Sequence, residues 1–303
     1  VPKTGIYFMK TLDTLPQDID DLFANGKQLD PVNLKAFTDN IAALLQDRLT
    51  KREDTGETLR MSRLGTPDRK LWFEHNVPLK RNKASNALKF IYGDIIEQLI
   101  ILLAKESGHK VEHEQQEVVI DGIVGHQDGT IDDVTIDVKS ASSFAFQKFS
   151  KATIFKEDPF GYIAQLSSYK HANKTEQAAF IGVNKESGEI CVLPLNNIDT
   201  IDPVQRIKEV KNIVVQKEAP IKKCYEPVQY KTSSNKTLNK NCTYCPYAGM
   251  CWKDANGGKG LRYFNYSTGP VAFTEIIDTP RVDEIFPNEP ATGEVEVSTE
   301  EVN

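Results

Sequence analysis

Apolar residues recur at three- and four-residue intervals in DPVNLKAFTDNIAALLQDRLTKRED, residues 30–54. Leu34, Phe37, Ile41, Leu44, Leu45 and Leu49 share one face there, which predicts an amphipathic helix of about six turns. In MSRLGTPDRKLWFEHN, turn chemistry at Gly65, Thr66 and Pro67 precedes a short helix carrying Leu71, Trp72 and Phe73. Residues 84–107 read as a long helix that is apolar on more than one face and therefore largely buried, ended by Gly108. The period then changes from helix to strand. KVEHEQQEVVI (110–120), IVGHQDGTI (123–131) and VTIDVKS (134–140) are predicted strands, joined by turns at Asp121-Gly122 and Asp132-Asp133. A helix over 159–174 opens at Pro159, and 178–195 reads as a hairpin turning at Glu186-Ser187-Gly188. A helix over 203–216 and a cysteine-bearing segment over 224–251 follow. The alternation implies an α/β (α+β) core with helical additions.

Polar residues break the apolar pattern in one strand. Residues two apart share a strand face, so Asp137 and Lys139 point one way while Ile136 and Val138 point into the core. A hairpin centred on 132–133 places Asp128 opposite Asp137. Facing carboxylates repel unless a cation lies between them. Glu97, on the preceding helix, supplies a third carboxylate, and Gly93 one turn earlier would let that helix approach the sheet closely. Hard oxygen donors suit Mg²⁺ or Mn²⁺, ions that activate water against phosphodiesters, and a lysine beside them would orient the water and offset developing charge. A surface strand with a weak ion pair is the plainer alternative.

Gly93-x-x-x-Glu97, Gly125-His126-Gln127-Asp128, Asp137-Val138-Lys139 and Gln165-x-x-x-Tyr169, in this order over roughly residues 60–255, resemble the PD-(D/E)XK nuclease superfamily. Within it the chain is similar to the RecB-like exonuclease branch. That branch includes CRISPR-associated RecB-like exonucleases, the nuclease domains of RecBCD and AddAB enzymes, and viral recombination exonucleases. The resemblance implies a restriction-endonuclease-like core with a mixed central sheet flanked by helices. It implies Glu97, Asp128 and Asp137 as metal ligands, joined by the Val138 carbonyl, and Lys139 as the catalytic lysine. It also implies that Gln165 and Tyr169 face the active site. The chain departs from the pattern in lacking the motif's proline before Asp128 and in using aspartate at 137. His126, reading as a strand-mate of Asp128, either approaches the site or is an ordinary surface histidine.

Cys242, Cys245 and Cys251 form a C-x2-C-x5-C triplet, which reads as metal or cluster ligation. It resembles three ligands of the iron–sulfur cluster found in many RecB-like exonucleases. The fourth, upstream cysteine of that pattern is missing from residues 62–72. Cys224 is the available replacement, and a 4Fe–4S cluster and a Zn²⁺ site both stay open. Cys191, in an apolar strand, reads as a core thiol. Tyr244, Tyr247 and Trp252 either pack around the cysteines or stack on bases.

Charge changes the picture only once it is located. Residues 275–303 hold nine acids and one arginine, a net −8, so the preceding 274 residues carry +2 of the chain's −6. The expected organisation is a helical extension over 1–56, a nuclease domain with its cysteine motif over 57–255, an extension over 256–274 and a disordered acidic tail over 275–303. Basic residues cluster at Arg48, Lys51 and Arg52, at Arg69 and Lys70, at Lys80, Arg81, Lys83 and Lys89, and at Lys148, Lys151 and Lys156. The last group is interleaved with Phe144, Phe146, Phe149 and Phe155, a mixture that suits single-stranded or frayed DNA ends. The chain opens without the layout of a signal peptide and has no long apolar run, so the expected location is the cytoplasm, or the host cytoplasm for a viral protein. The expected activity is a metal-dependent DNA exonuclease in recombination, repair or replication, with a helicase or single-strand annealing protein as partner. A structure-selective endonuclease and a weakly active DNA-binding recombination subunit are the alternatives.

Overall fold

The computed structural model describes residues 10–50, 59–77 and 84–286. The chain divides into two compact units, 1–66 with 81–211 and 67–80 with 212–303, a different division from the expected 57–255. In chain order the helices are α1 (Leu15–Asn25), α2 (Pro31–Leu49), α3 (Asp68–Asn76, in the second unit), α4 (Ala84–Glu106), α5 (Ser143–Ser150), α6 (Tyr162–Asn173) and α7 (Pro203–Val214). None of the described helices is long and apolar enough to cross a membrane.

The first unit is built on a mixed sheet of five strands. They are β1 (Val111–Glu112), β4 (Gly129–Ile131), β5 (Val134–Ala141), β6 (Ala178–Asn184) and β7 (Ile190–Pro194), side by side in that order. β5 and β6 run parallel and the other neighbours antiparallel. A parallel pair needs a crossover, and α5 and α6 supply it. Ile136 and Val138 of β5 and Ile181 of β6 join Ile100, Ile101 and Ala104 of α4 and Leu15 and Ile19 of α1 in one buried cluster. Phe180 and Ala141 join Phe146 and Phe149 of α5 and Leu166 of α6 in another. Burying β6 on both faces explains its unbroken apolar run.

The remaining strands, β2 (Glu117–Ile120) and β3 (Ile123–His126), form a separate two-stranded sheet. The two expected long strands, 110–120 and 123–131, are therefore each broken in two. The first breaks where His113 and Gln115 adopt positive φ. The second breaks before Gly129, whose φ of 145° favours glycine and whose added Cβ would lie 2.9 Å from the Glu112 carbonyl oxygen. α2 also differs from expectation: none of its residues is buried, and Leu34 and Leu49 are 40% and 76% exposed. Phe37, Ile41, Leu44 and Leu45 are half-buried, and polar contacts add to the hold. The Glu106 side chain, buried at the end of α4, accepts from Asn33 Nδ2 at 2.8 Å and pairs with Lys27 at 3.0 Å. α4 is buried only in its second half, with Leu88, Phe90 and Tyr92 exposed in its first.

In the second unit, β8 (Val228–Gln229), β9 (Lys236–Thr237), β10 (Arg262–Tyr266), β11 (Gly269–Glu275) and β12 (Glu284–Ile285) make an antiparallel sheet in the order β12-β10-β11-β9-β8. The short helices α8 (Lys240–Thr243) and α9 (Ala248–Cys251) precede β10. Phe73 of α3 stacks on Tyr247 at 5.6 Å within a core that holds Cys242, Cys251 and Trp252. The expected disordered tail is corrected over its first part. Glu284 accepts from Arg262 through both oxygens, at 2.7 and 2.6 Å, and so fixes β12 to β10. Residues 287–303 of that tail lie outside the described residues, as do Lys51, Arg52, Lys80, Arg81 and Lys83 of the basic clusters.

Candidate active site

The β4–β5 hairpin pairs Ile131 with Val134, Thr130 with Thr135 and Gly129 with Ile136, the register expected from the turn at 132–133. Asp132 and Asp133 occupy that turn with φ of 50° and 65°. The ladder stops at Gly129, so the edge of β5 beyond Ile136 is open on that side. Asp128, one residue past the ladder, fills it: its Oδ2 accepts the Val138 N–H at 2.6 Å. The strand backbone thus aims both aspartates at one place.

Asp137 has no exposed surface, and Asp128 keeps 8%. Lys139 Nζ forms an ion pair with Asp137 Oδ2 at 2.7 Å, and Asp137 Oδ1 has no hydrogen-bond partner among the described residues. Burial raises the Asp137 pKa against the pull of Lys139. Burial also raises Asp128, and the charges of Glu97 and Asp137 add to it. Glu97 is pushed up to about 7, by desolvation first and by Asp137 second, while its Oε1 accepts from Gln115 Nε2. Burial opposes the charge on Lys139, but Asp137 and Asp128 outweigh it and hold that pKa above its ordinary value. Three carboxylates that resist ionisation around one committed cation are the electrostatics of a site short of positive charge.

Lys139 reaches α6 as well. Its Nζ donates to Gln165 Oε1 at 3.3 Å, and Gln165 Nε2 donates to the hydroxyl oxygen of Tyr169 at 3.1 Å. Gln165 and Tyr169 are therefore brought to the aspartates by one relay. Burial raises the Tyr169 pKa, with Asp137 adding to it.

Two further residues belong to the site. Tyr162 lies with Lys139 Nζ 4.7 Å above its ring centroid. Asp158 caps the start of α6, accepting from Gly161 N and Ile163 N at 2.9 Å each, and its charge bears on Asp137. Gly161 has a φ of 77° and packs against Gly65, where a Cβ would meet backbone at 2.5 Å. Tyr162 was visible in principle, because 162, 165 and 169 are spaced three and four apart on one helical face.

Two expectations need correction. A Cβ on Gly93 would meet Ser140 Oγ at 3.5 Å, ordinary contact, so no close helix–sheet approach depends on that glycine. His126 does not share a strand with Asp128; it ends β3, opposite Glu117, with its Nε2 3.6 Å from the Glu117 carboxylate.

In the second unit, Cys242 and Cys251 are buried and Cys224 and Cys245 half-buried. Desolvation pushes Cys242 up to about 12, with Cys245, Cys224 and Cys251 adding to it. Desolvation likewise pushes Cys224 up to about 11. The four thiols thus lie within each other's electrostatic reach. Arg69 Nε donates to Cys251 Sγ at 3.2 Å, so this member of a basic cluster serves the cysteines. Tyr247 and Trp252 are buried packing residues, whereas Tyr244 is 93% exposed. Cys191 in β7 is half-buried, with burial raising its thiol.

Among the described residues no three His, Cys, Asp or Glu side chains stand as a ready-made metal cage. The donor types nevertheless fit. Buried carboxylate oxygens, Asp137 Oδ1 among them without a hydrogen-bond partner in the described residues, suit a hard cation, and thiols suit zinc or iron.

No protein-family model matches the chain, and no curated protein matches it. Among solved structures, SSO0001 is 18% identical, with a TM-score of 0.40 over 73% of this chain and 96% of its own. A phage-related exonuclease from Haemophilus somnus 129PT is 14% identical, with a TM-score of 0.37 over 53% of this chain and 92% of its own. LHK-Exo, an alkaline exonuclease from Laribacter hongkongensis solved in complex with dAMP, is 15% identical, with a TM-score of 0.32 over 51% of this chain and 86% of its own.

Proposed function

We propose that the chain is a divalent-metal-dependent deoxyribonuclease that hydrolyses phosphodiester bonds at DNA ends, an exonuclease of recombination, repair or replication. One observation carries this reading: Asp137 is fully buried beside Asp128, its Oδ2 ion-paired with Lys139 at 2.7 Å and its Oδ1 without a hydrogen-bond partner among the described residues. A buried anion in that state is costly, and a hard cation is the partner that a carboxylate set takes.

Glu97, Asp128, Asp137 and the Val138 carbonyl would hold Mg²⁺ or Mn²⁺. When bound, the ion supplies charge to phosphate oxygens and lowers the pKa of a water. Lys139 stays charged, and its remaining N–H bonds orient the attacking water and offset charge developing on the phosphate. Gln165 fixes the Lys139 ammonium by accepting from it, and Tyr169 holds the Gln165 amide. Tyr162 covers the lysine from one side and excludes water there. Asp158 caps α6 and so keeps Tyr162 and Gln165 in register with β5. Cys224, Cys242, Cys245 and Cys251 would hold a structural Zn²⁺ or 4Fe–4S cluster. The substrate is DNA, and a helicase or single-strand annealing protein would supply or accept the processed strand.

The test offers the protein an end-labelled linear duplex and a closed circle in Mg²⁺ and Mn²⁺, then in EDTA. Loss of the linear DNA alone, stopped by EDTA, is the expected result. Loss of the circle turns the exonuclease into an endonuclease. Survival of both in either metal leaves a binding subunit and removes the nuclease reading.

A further inference from the structure

Phe160 is 63% exposed, an unusual state for a phenylalanine that the fold holds so firmly. Its ring stacks on Tyr162, centroids 5.4 Å apart and planes 23° apart, and Tyr162 stacks in turn on buried Phe149 at 6.3 Å. Tyr162 is the ring that Lys139 Nζ sits on. An open aromatic surface therefore lies two contacts from the lysine of the active site. Its backbone is fixed at the next residue, where Gly161 N donates to the Asp158 carboxylate and Gly161 packs against Gly65. Packing does not account for the exposure, since Phe146, Phe149 and Phe180 already fill the cluster beneath. Exposed Lys151 and Lys156 lie on the same segment and offer cations to a phosphate backbone.

We propose that Phe160 is a base-stacking platform that positions an unpaired nucleobase at the strand end, so that the adjoining phosphate meets Lys139. The inference rests on the nuclease reading and narrows it to unpaired DNA ends. A ring accepts a nucleobase through its face without regard to sequence, and only an unpaired base has that face to give. Phe160 is a positioning residue, and its loss weakens substrate holding and leaves the carboxylates and Lys139 in place.

The test uses the full chain and a single-stranded oligonucleotide whose terminal base is 2-aminopurine, whose fluorescence falls on stacking. In EDTA, at DNA concentrations that saturate anisotropy, the wild type quenches the probe and Phe160→Ala does not, while Phe160→Trp restores the quench. In Mg²⁺, Phe160→Ala raises KM by about 5- to 100-fold with kcat little changed, the range expected for one lost stacking contact. An abasic terminal nucleotide costs the wild type a similar factor and costs Phe160→Ala nothing more. Equal quenching by wild type and Phe160→Ala overturns the platform, even in a chain that cuts DNA. A chain that quenches the probe through Phe160 yet cuts no DNA keeps the platform and loses the nuclease.

Discussion

The carboxylate site of the first unit and the cysteine cluster of the second both bury groups that resist ionisation, but they balance charge differently. Asp137 and Asp128 have Lys139 built into the same strand, and the lysine holds its proton tightly. Burial raises the Cys242 and Cys224 thiols, neighbouring thiols add to it, and Arg69 donates to Cys251. The carboxylate site, with its own counter-charge, is expected to fold without the proposed cation and to need it for chemistry. The proposed Zn²⁺ or cluster at the cysteines is expected to add to the stability of its unit.

Asp137→Ala breaks this contrast most directly on the chemical side. It is expected to lower the cutting rate on an end-labelled duplex by about 10³-fold or more, the scale of several kcal/mol that metal-ion catalysis supplies. Lys139→Met comes next, with a rate loss of about 10²- to 10³-fold. It also destabilises the metal-free protein, by about 3 kcal/mol on a chemical melt, because it strands a buried carboxylate. On the other side, Cys242→Ser lowers the melting temperature by about 5–10 °C with Mn²⁺ affinity unchanged. Equal loss of Mn²⁺ binding in that variant would merge the two regions.

Glu97 gives a smaller effect with a definite sign. Its folded pKa of about 7 lies above the ordinary glutamate value of 4.5, so its protonated form favours the fold. Metal-free protein therefore loses stability as pH rises from about 4.5 to 7, and Mg²⁺ offsets that loss. Glu97→Gln flattens the difference; a slope unchanged by the substitution removes Glu97 as the cause. Smallest is Tyr162→Leu, expected to cost about 2- to 30-fold in kcat through the cation–π contact with Lys139.

Much of the first unit was legible because its constraints are local. A turn of two aspartates sets the hairpin register, and alternation assigns Ile136 and Val138 to the core and Asp137 to the other face. Gln165 and Tyr169 were legible as a motif, but their relay to Lys139 depends on how α6 lies on β5. The breaks at His113–Gln115 and Gln127–Asp128 were not legible, since backbone strain and the change of sheet are tertiary effects on a sequence that still alternates. α2 shows the opposite failure. Its apolar period is real, yet Phe37, Ile41, Leu44 and Leu45 are only half-buried, and Glu106, Gln98 and Asp94 add polar contacts. The second sheet escaped because its strands are short, and β8, β9 and β12 have two residues each. Arg69 was legible only as part of a basic cluster, since its contact is with a cysteine 182 residues away.

The central claim is that Glu97, Asp128 and Asp137 form one site for a hard divalent cation. Titration of the purified chain with Mn²⁺, followed by the electron paramagnetic resonance signal of the free ion, tests it without reference to activity. The account predicts saturable Mn²⁺ uptake in the wild type that Mg²⁺ competes away and Asp137→Ala abolishes. Uptake by Asp137→Ala equal to that of the wild type, or none by either, would contradict it.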